Sequence, residues 1–326
     1  GYHAGNSETV VGEALSKYDR SSFYLASKFP GYDLSNFGKH EEIFYKQLEK
    51  CKTDYFDFYL YHNVCELNID KYLDDSTGLT EFLLKMKEEG KIRHLGFSCH
   101  GSQETMHRFI MKNFRHIEFC QIQLNYLDLE FQNAKDKVEE LNNIGIPIWV
   151  MEPLRGGKLA KSCLGGEKML AKSNPDYTPA NWAFGFLESI PVVTMILSGM
   201  SNLEQAKDNI SYMNDFVPLT QKEIELCHHV ADIINSKRAI QCTACAYCVK
   251  GCPMEIQIPD FFETYNRRMQ AVSAGTLMRN KNAYLEMIEK GNGPATCIEC
   301  GQCERACPQH LTIRQYLKEI VEEYGK

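Results

Sequence analysis

The sequence predicts an α/β protein: a (β/α)8 barrel followed by a smaller, helical, cysteine-rich domain. Three observations carry this expectation. From residue 23 to 213, short β-rich apolar runs alternate with longer amphipathic segments. Polar residues recur at the ends of those runs. Eight of the 14 cysteines fall after residue 240, in two copies of one spacing.

The chain has 326 residues, which at roughly 100–200 residues per domain is room for about two domains with their own cores. A composition of 44% hydrophobic and 24% charged residues excludes a disordered chain or a fibrous rod. The net charge of −7 argues against a nucleic-acid partner, which would need a concentrated basic surface. No run approaches ~18 apolar residues, so no membrane partner is expected. The first residues, Gly1-Tyr2-His3-Ala4-Gly5-Asn6, lack the pattern of a secretory signal, and the expected location is cytoplasmic.

Strands are expected at Phe23–Lys28, Phe56–His62, Ile92–Ser98, Glu118–Leu124, Ile146–Met151 and Val192–Ser198. Between them, apolar residues three and four apart mark helices: Ile43, Phe44, Leu48 and Cys51; Leu79, Phe82, Leu83 and Met86; Val138 and Leu141. Gly90 and Gly145 stand where a helix ends left-handed before the next strand. Thr178-Pro179 offers an N-cap and a first-turn proline for a helix running to Ile190.

Strands that alternate with helices pair in parallel through right-handed crossovers, which leaves a doubly wound sheet or a barrel. The strand-end residues Lys28, His62, Ser98 with His100, Gln121 with Asn125, Glu152 and Ser198 favour the barrel, whose sites gather at C-terminal strand ends. No glycine-rich fingerprint follows the first strand, as a dinucleotide-binding doubly wound sheet would carry. Pro218-Leu219-Thr220 breaks the alternation. Thr220-Gln221-Lys222-Glu223 then reads as a capping box opening a helix through about Ser236. The expected division is a barrel over residues 1–217 and a cysteine-rich domain with its connecting helix over 218–326.

The two cysteine runs are Cys242, Cys245, Cys248, Cys252-Pro253 and Cys297, Cys300, Cys303, Cys307-Pro308. Both read C-x2-C-x2-C-x3-C-P, the pattern of ferredoxins with two [4Fe–4S] clusters, in which the fourth cysteine of each run ligates the other cluster. Cluster one is therefore expected on Cys242, Cys245, Cys248 and Cys307, and cluster two on Cys297, Cys300, Cys303 and Cys252. Structural zinc would show CxxC pairs separated by a long loop, and disulfides conflict with the missing secretion signal. The 44 residues between Cys252 and Cys297 exceed what a minimal two-cluster domain needs, and their apolar spacing at Ile258, Phe261, Phe262, Tyr265 and Met269 is helical. An α-helical ferredoxin type is expected. The single cysteines Cys51, Cys65, Cys120 and Cys227 sit in apolar runs and read as packing.

Tyr2, Lys28 and His62 together fit carbonyl reduction. The alkoxide formed as hydride arrives needs a proton donor, and a tyrosine serves if a nearby cation lowers its pKa. A buried lysine supplies that cation and a neutral histidine orients the carbonyl oxygen. Taken singly, a strand-end lysine is more often a solvated rim residue and Tyr2 a loop aromatic, so spacing leaves both readings open.

Longer motifs carry a resemblance. They are Tyr2-x-x-Gly5-x-Ser7-Glu8, Val11-Gly12-x-Ala14-Leu15, Ser27-Lys28, Tyr61-His62, Leu95-Gly96-Phe97-Ser98, Gln121-x-x-x-Asn125-Tyr126, Met151-Glu152-Pro153-Leu154-x-Gly156-Gly157 and Ser198-Gly199-Met200-Ser201-Asn202. In this order the chain resembles the aldo-keto reductases, and most the branch with a C-terminal two-cluster ferredoxin domain. The resemblance implies a (β/α)8 barrel and NAD(P)H-dependent reduction of an aldehyde or ketone. Three of the four catalytic residues of the family fall on Tyr2, Lys28 and His62. The fourth, an Asp paired with the lysine, would lie five residues before Tyr2. For the nicotinamide cofactor, the motif positions fall on Ser98, Gln121, Met151, Pro153, Leu154 and Gly156, and near the adenosine phosphate on Ser198, Gly199, Gln205 and Asn209.

Departures stand beside the match. Cys99 occupies a position commonly Asn, and Met151 one where an aromatic often stacks on the nicotinamide. Gly199 and Gln205 replace the Lys and Arg that hold a 2′-phosphate, which leaves NADH against NADPH undecided. The first strand aligns with the third strand of the family, so the resemblance implies a barrel whose first βα unit and second strand precede Gly1, roughly 45 residues if each unit takes about 25–30.

The leading expectation is an oxidoreductase acting on a small carbonyl substrate and coupled to or stabilised by two [4Fe–4S] clusters, which are either structural or exchange electrons with a partner such as a ferredoxin or a flavoprotein. Hydride carries two electrons and a cluster one, and no flavin motif is visible to convert between them. The alternative is an iron–sulfur electron-transfer module whose barrel serves as a docking scaffold, motivated by Cys99 and Met151.

Overall fold

The computed structural model describes residues 5–129, 134–161, 166–236, 239–269 and 273–325. Its contacts gather into two compact units. One comprises Gly1–Leu124, Asp128–Met151 and Ile190–Leu197, and the other Asn125–Leu127, Glu152–Ser189 and Ser198–Lys326.

All six expected strands are present, in the first unit: β1 (Ala26–Phe29), β2 (Phe56–Val64), β3 (Ile92–Cys99), β4 (Cys120–Gln123), β5 (Ile148–Met151) and β6 (Val193–Ile196). They form one parallel sheet in the order β1-β2-β3-β4-β5-β6. A doubly wound sheet reverses its order at a switch point, so this unbroken sequential order is that of a barrel wall. The helices expected from apolar spacing lie at His40–Cys51, Leu79–Glu88 and Ala134–Ile144. Gly90 and Gly145 end the last two with φ of +75° and +71°.

Register sorts the side chains into rows, because successive residues of a strand face opposite ways. One row holds Ala26, Phe58 and His94, the next Lys28, Leu60 and Gly96, and a third Ser98, Gln121 and Trp149. On this face Leu60, Phe119 and Trp149 form a buried cluster, with Phe58 and Met195 packed against it. Phe119 stacks on Trp149 at 4.2 Å and Phe58 meets Trp149 edge-on at 4.6 Å. An apolar plug therefore fills this face below the polar strand ends. Gly96 makes it possible: a Cβ there would stand 2.6 Å from the Phe119 ring. The opposite face is sealed by edge-to-face contacts of Phe44 with Tyr59 and of Tyr61 with Phe109.

At the start of β2, buried Asp57 accepts from Arg20 Nη2 (2.7 Å), Arg93 Nη1 (2.9 Å) and the Leu25 N–H (2.9 Å). Both guanidiniums lie over the Tyr55 ring. One carboxylate thus ties the approaches to three strands together.

The second unit is helical. Helix Pro179–Glu188 opens on the Thr178/Asn181 capping box, and Gln221–Ser236 on Thr220, whose N–H and hydroxyl both donate to Glu223 Oε2. These two helices pack together, with Phe186 and His228 edge-to-face. Packing therefore groups residues 152–189 and 198–217 with the C-terminal region, whereas strand–helix alternation had set a boundary after 217. The helices of those stretches bury apolar faces on one another, which alternation along the chain does not reveal.

The cysteine-rich region is a structural repeat longer than its motif. Two segments 55 residues apart carry left-handed backbone at matching positions: Ala244, Ala246 and Glu255 in the first, Glu299, Gly301 and His310 in the second. Each has a four-residue helix, Tyr247–Lys250 or Gln302–Arg305, and then a 12-residue helix, Ile258–Met269 or Ile313–Tyr324. Helix Ala274–Lys290 lies between them in the chain. Phe261, Phe262, Tyr284, Ile313, Leu317, Ile320 and Tyr324 form the shared core.

Gly96→Ala is expected to destabilise the protein by about 1–3 kcal/mol through overpacking against Phe119, measured by urea unfolding. Adding Phe119→Leu should recover part of that loss.

Candidate functional sites

The C-terminal ends of β1 and β2 open into a cavity of about 100 Å3 lined by Gly5, Ser7, Glu8, Ala26, Ser27, Lys28, Pro30 and His62. Lys28 pairs in register with Leu60, so it lies on the same face as His62, two residues further on. Burial lowers the Lys28 ammonium to about 8. Burial, with Lys28 and His100 nearby, holds His62 well below the ordinary histidine range, so this imidazole is neutral. Its ring meets Tyr32 edge-on at 5.3 Å, and its carbonyl accepts from Tyr72 Oη at 2.7 Å. Among the described residues no carboxylate pairs with the Lys28 ammonium. Tyr2 lies outside the described residues, three positions before Gly5 of the cavity lining.

Two residues here escaped the sequence reading as site residues. Glu8 faces the cavity while accepting from Ser27 Oγ at 3.0 Å. It follows Ser7 at a helix start, where an acidic residue ordinarily serves only the helix dipole. His100 is buried and brought down to about 3, first by burial and then by Lys28 and Lys137. It immediately follows β3, and its place beside Ser98 at that strand end was the signal the sequence offered.

Ser98 and Gln121 are register partners on β3 and β4. Ser98 Oγ accepts from the Asn63 N–H at 2.8 Å. Gln121 Nε2 donates to Met151 Sδ at 3.3 Å, while its buried Oε1 has no hydrogen-bond partner among the described residues. An inward carbonyl of this kind suits an amide N–H donor. Cys99 faces the other way: it pairs with Val64 and Ile122, shares its side with Phe97, and is buried, its thiol pushed up to about 11 by burial. The thiol does not enter the polar face, which removes Cys99 from the departures that bear on a cofactor. Cys51, Cys65, Cys120 and Cys227 are buried. Cys163 lies outside the described residues.

In the second unit, the stretch after β5 turns tightly. Glu152, Arg155, Gly156 and Gly157 all have positive φ, and Asn125 Nδ2 donates to the Glu152 carbonyl at 3.0 Å. Pro153 is buried and Leu154 half-buried. Further on, Asn202 caps helix Leu203–Asn214 by accepting from the Gln205 N–H. Gln205 Oε1 accepts from the Ser201 N–H at 2.7 Å, and Asn209 Nδ2 donates to Ser198 Oγ at 3.2 Å. Gly199 and Gln205 are exposed. Neither Gly199 nor Gln205 brings a cation to this helix start.

The eight motif cysteines fall into two groups. Cys252, Cys297, Cys300 and Cys303 line one cavity together with Ile256, Arg314 and Leu317. Burial raises the Cys248 thiol, and the thiols of Cys245, Cys242, Cys307 and Cys303 raise it further. The fourth cysteine of the first run thus lines a cavity with three cysteines of the second. Among the described residues no three His, Cys, Asp or Glu converge on a point one metal ion could fill. Thiols set around a volume suit the corners of a four-iron cube.

A family model described as Aldo/keto reductase family matches residues 1–232, and one described as 4Fe-4S dicluster domain matches residues 241–312. An uncharacterized oxidoreductase, YqkF, from Bacillus subtilis is 25% identical over 271 residues, which are 73% of this chain and 84% of that protein. Among solved structures, the holo form of aldo-keto reductase AKR11C1 from Bacillus halodurans aligns with a TM-score of 0.55 at 24% identity, covering 68% of this chain and 76% of its own. An aldo/keto reductase from Klebsiella pneumoniae, solved in complex with NADP and acetate, aligns at 0.57 and 20% identity, covering 69% and 75%. These two likenesses are of fold.

Crossed ligation has a direct test in the anaerobically reconstituted protein. Cys307→Ser should lower iron from about eight to about four per chain and leave the same dithionite-reduced EPR spectrum as Cys245→Ser. Cys252→Ser should match Cys300→Ser. The opposite pairing of spectra would refute crossing.

Proposed function

Since the chain belongs to the aldo/keto reductase family, with a 4Fe-4S dicluster domain at its C-terminal end, we propose that it reduces a small aldehyde or ketone at the Lys28/His62 cavity with Tyr2 as proton donor. The observation that carries this reading is the buried ammonium of Lys28 on the same face as the buried, neutral imidazole of His62.

Bound NAD(P)H supplies the hydride. His62, neutral, donates one hydrogen bond to the carbonyl oxygen and fixes its orientation. Lys28 is desolvated, so its charge acts at low dielectric and stabilises negative charge developing beside it, including a tyrosinate at Tyr2. Ser98 and Gln121 would hold the carboxamide, Gln121 through the Oε1 that lacks a partner among the described residues. Met151 fills the place of a stacking aromatic with a polarisable thioether. Pro153, Leu154 and Gly156 would follow the cofactor backbone, and the Ser198–Asn209 stretch its adenosine phosphate. With Gly199 and Gln205 uncharged, the 2′-phosphate of NADPH gains no charge-assisted bond at these positions. The Asn202-capped helix start serves either cofactor equally.

The domain's two [4Fe–4S] clusters supply single-electron exchange, and we assign Cys242, Cys245, Cys248 and Cys307 to one and Cys297, Cys300, Cys303 and Cys252 to the other. A one-electron carrier protein is the partner that chemistry requires. The reading of the barrel as a scaffold alone loses one of its two motives, since Cys99 packs away from the polar face.

Anaerobic fluorescence titration tests the function. Micromolar binding of NADH or NADPH, with NADPH favoured by less than about tenfold, is expected. Absence of binding by protein with both clusters intact would overturn the reductase reading. Tyr2→Phe should lower kcat by about 10²–10⁴-fold with little change in cofactor affinity. The pH profile follows from Lys28. Its ammonium form is needed, so kcat/KM should fall as pH rises through about 8, and Lys28→Arg should move that limb to higher pH. For stability the sign is opposite. A lysine brought down from 10.5 to about 8 binds fewer protons folded than unfolded between those values, so its contribution to stability rises with pH across that window.

A further inference from the structure

The two halves of the cysteine repeat share backbone conformation but differ in what covers them, and each serves as the control for the other. In the first copy, Thr243 between Cys242 and Cys245 is only 3% exposed, and its carbonyl lies 3.9 Å from where a Cβ on Gly156 would stand. In the second copy the matching residue is Ile298, 60% exposed, and the next cysteine, Cys300, is exposed as well. An isoleucine has replaced a threonine where the chain offers no cover. Position Pro259, buried in the first copy, is Arg314 in the second, and Arg314 lines the cavity shared by Cys252, Cys297, Cys300 and Cys303.

We infer that the surface around Ile298 and Cys300 is the port through which the protein exchanges electrons, and that it docks an acidic, one-electron carrier protein. This rests on the reading that the dicluster domain exchanges single electrons. The carrier class follows from the centre beneath the patch, which takes one electron at a time. Its charge follows from the rim. Arg314 pairs with Glu304 and Lys318 with Glu299, while Arg305 is exposed, approaches the Cys300 carbonyl at 3.5 Å, and has no carboxylate partner among the described residues. A carboxylate on the carrier completes that set, and Ile298 supplies the apolar contact at its centre. In each encounter one electron crosses and no bond is made or broken: the carrier is oxidised by one electron as the protein is reduced by one, or the reverse. The greater exposure favours the reduced form of this cluster over that of the covered one.

The test uses the full chain with both clusters, and an acidic flavodoxin as the carrier. Binding is read by titration calorimetry, and electron exchange by stopped-flow oxidation of the flavodoxin hydroquinone. Ile298→Asp and Arg305→Glu should each weaken binding and slow exchange by at least about tenfold, with iron content and EPR spectrum unchanged. Lys250→Glu, the same charge change at the matching position of the first copy, should leave both within about twofold. Unchanged binding in Ile298→Asp and Arg305→Glu, or an equal loss in Lys250→Glu, overturns the port while leaving electron exchange standing. If the wild-type protein takes no electron from the hydroquinone, the reading beneath the proposal fails and the proposal with it.

Discussion

The constraint on which the barrel half depends is the filling of one sheet face by Phe58, Leu60, Phe119, Trp149 and Met195. A parallel sheet is stable only when both faces are covered, and here the inward cover is an aromatic plug. Because the plug removes water from the lower rows, the polar residues above it sit at the edge of an apolar volume. That placement, more than any direct partner, depresses Lys28 and His62. Gly96 is part of the same device, since only a residue without a Cβ leaves room for the Phe119 ring.

The second unit answers a different problem. A two-cluster site needs eight thiolates around two volumes, and the repeat offers two copies of one loop, with Cys252 of the first lining a cavity beside Cys297, Cys300 and Cys303 of the second. The left-handed positions at Ala244 and Ala246, matched by Glu299 and Gly301, let three thiols of each run face one volume. The long helix of each copy then buries Phe262 or Leu317 in the common core.

The two halves imply two currencies of electrons, a hydride pair in the barrel and single electrons at the thiolate sites. Lys28 and His62 belong to the first packed unit and both cysteine runs to the second. The cover given to Thr243 by the Gly156 turn lies within the helical unit, on the stretch that also carries the expected cofactor residues Pro153 and Leu154. The first cysteine loop is thus held by the chain itself, and the second is left to the surface.

The sequence by itself determined what is local or periodic. Alternation gave six strands to within a few residues, Gly90 and Gly145 announced helix ends, and Thr178 and Thr220 their caps, because each is decided by a few neighbouring residues. Lys28, His62, Ser98 and Gln121 were legible from motif and strand end together. Cysteine spacing carried the two-site reading, since ligand geometry constrains neighbours in the chain. Only the tertiary structure decided the rest. Glu8 joins the Lys28 cavity from the helix that precedes β1, and Cys99 turns away from the polar face because strand parity, fixed by register, sends its side chain to the helices. The grouping of residues 152–189 with the C-terminal helices, and the burial of Thr243 against the exposure of Ile298, depend on which surfaces meet. Contacts between segments a hundred residues apart leave no period in the chain.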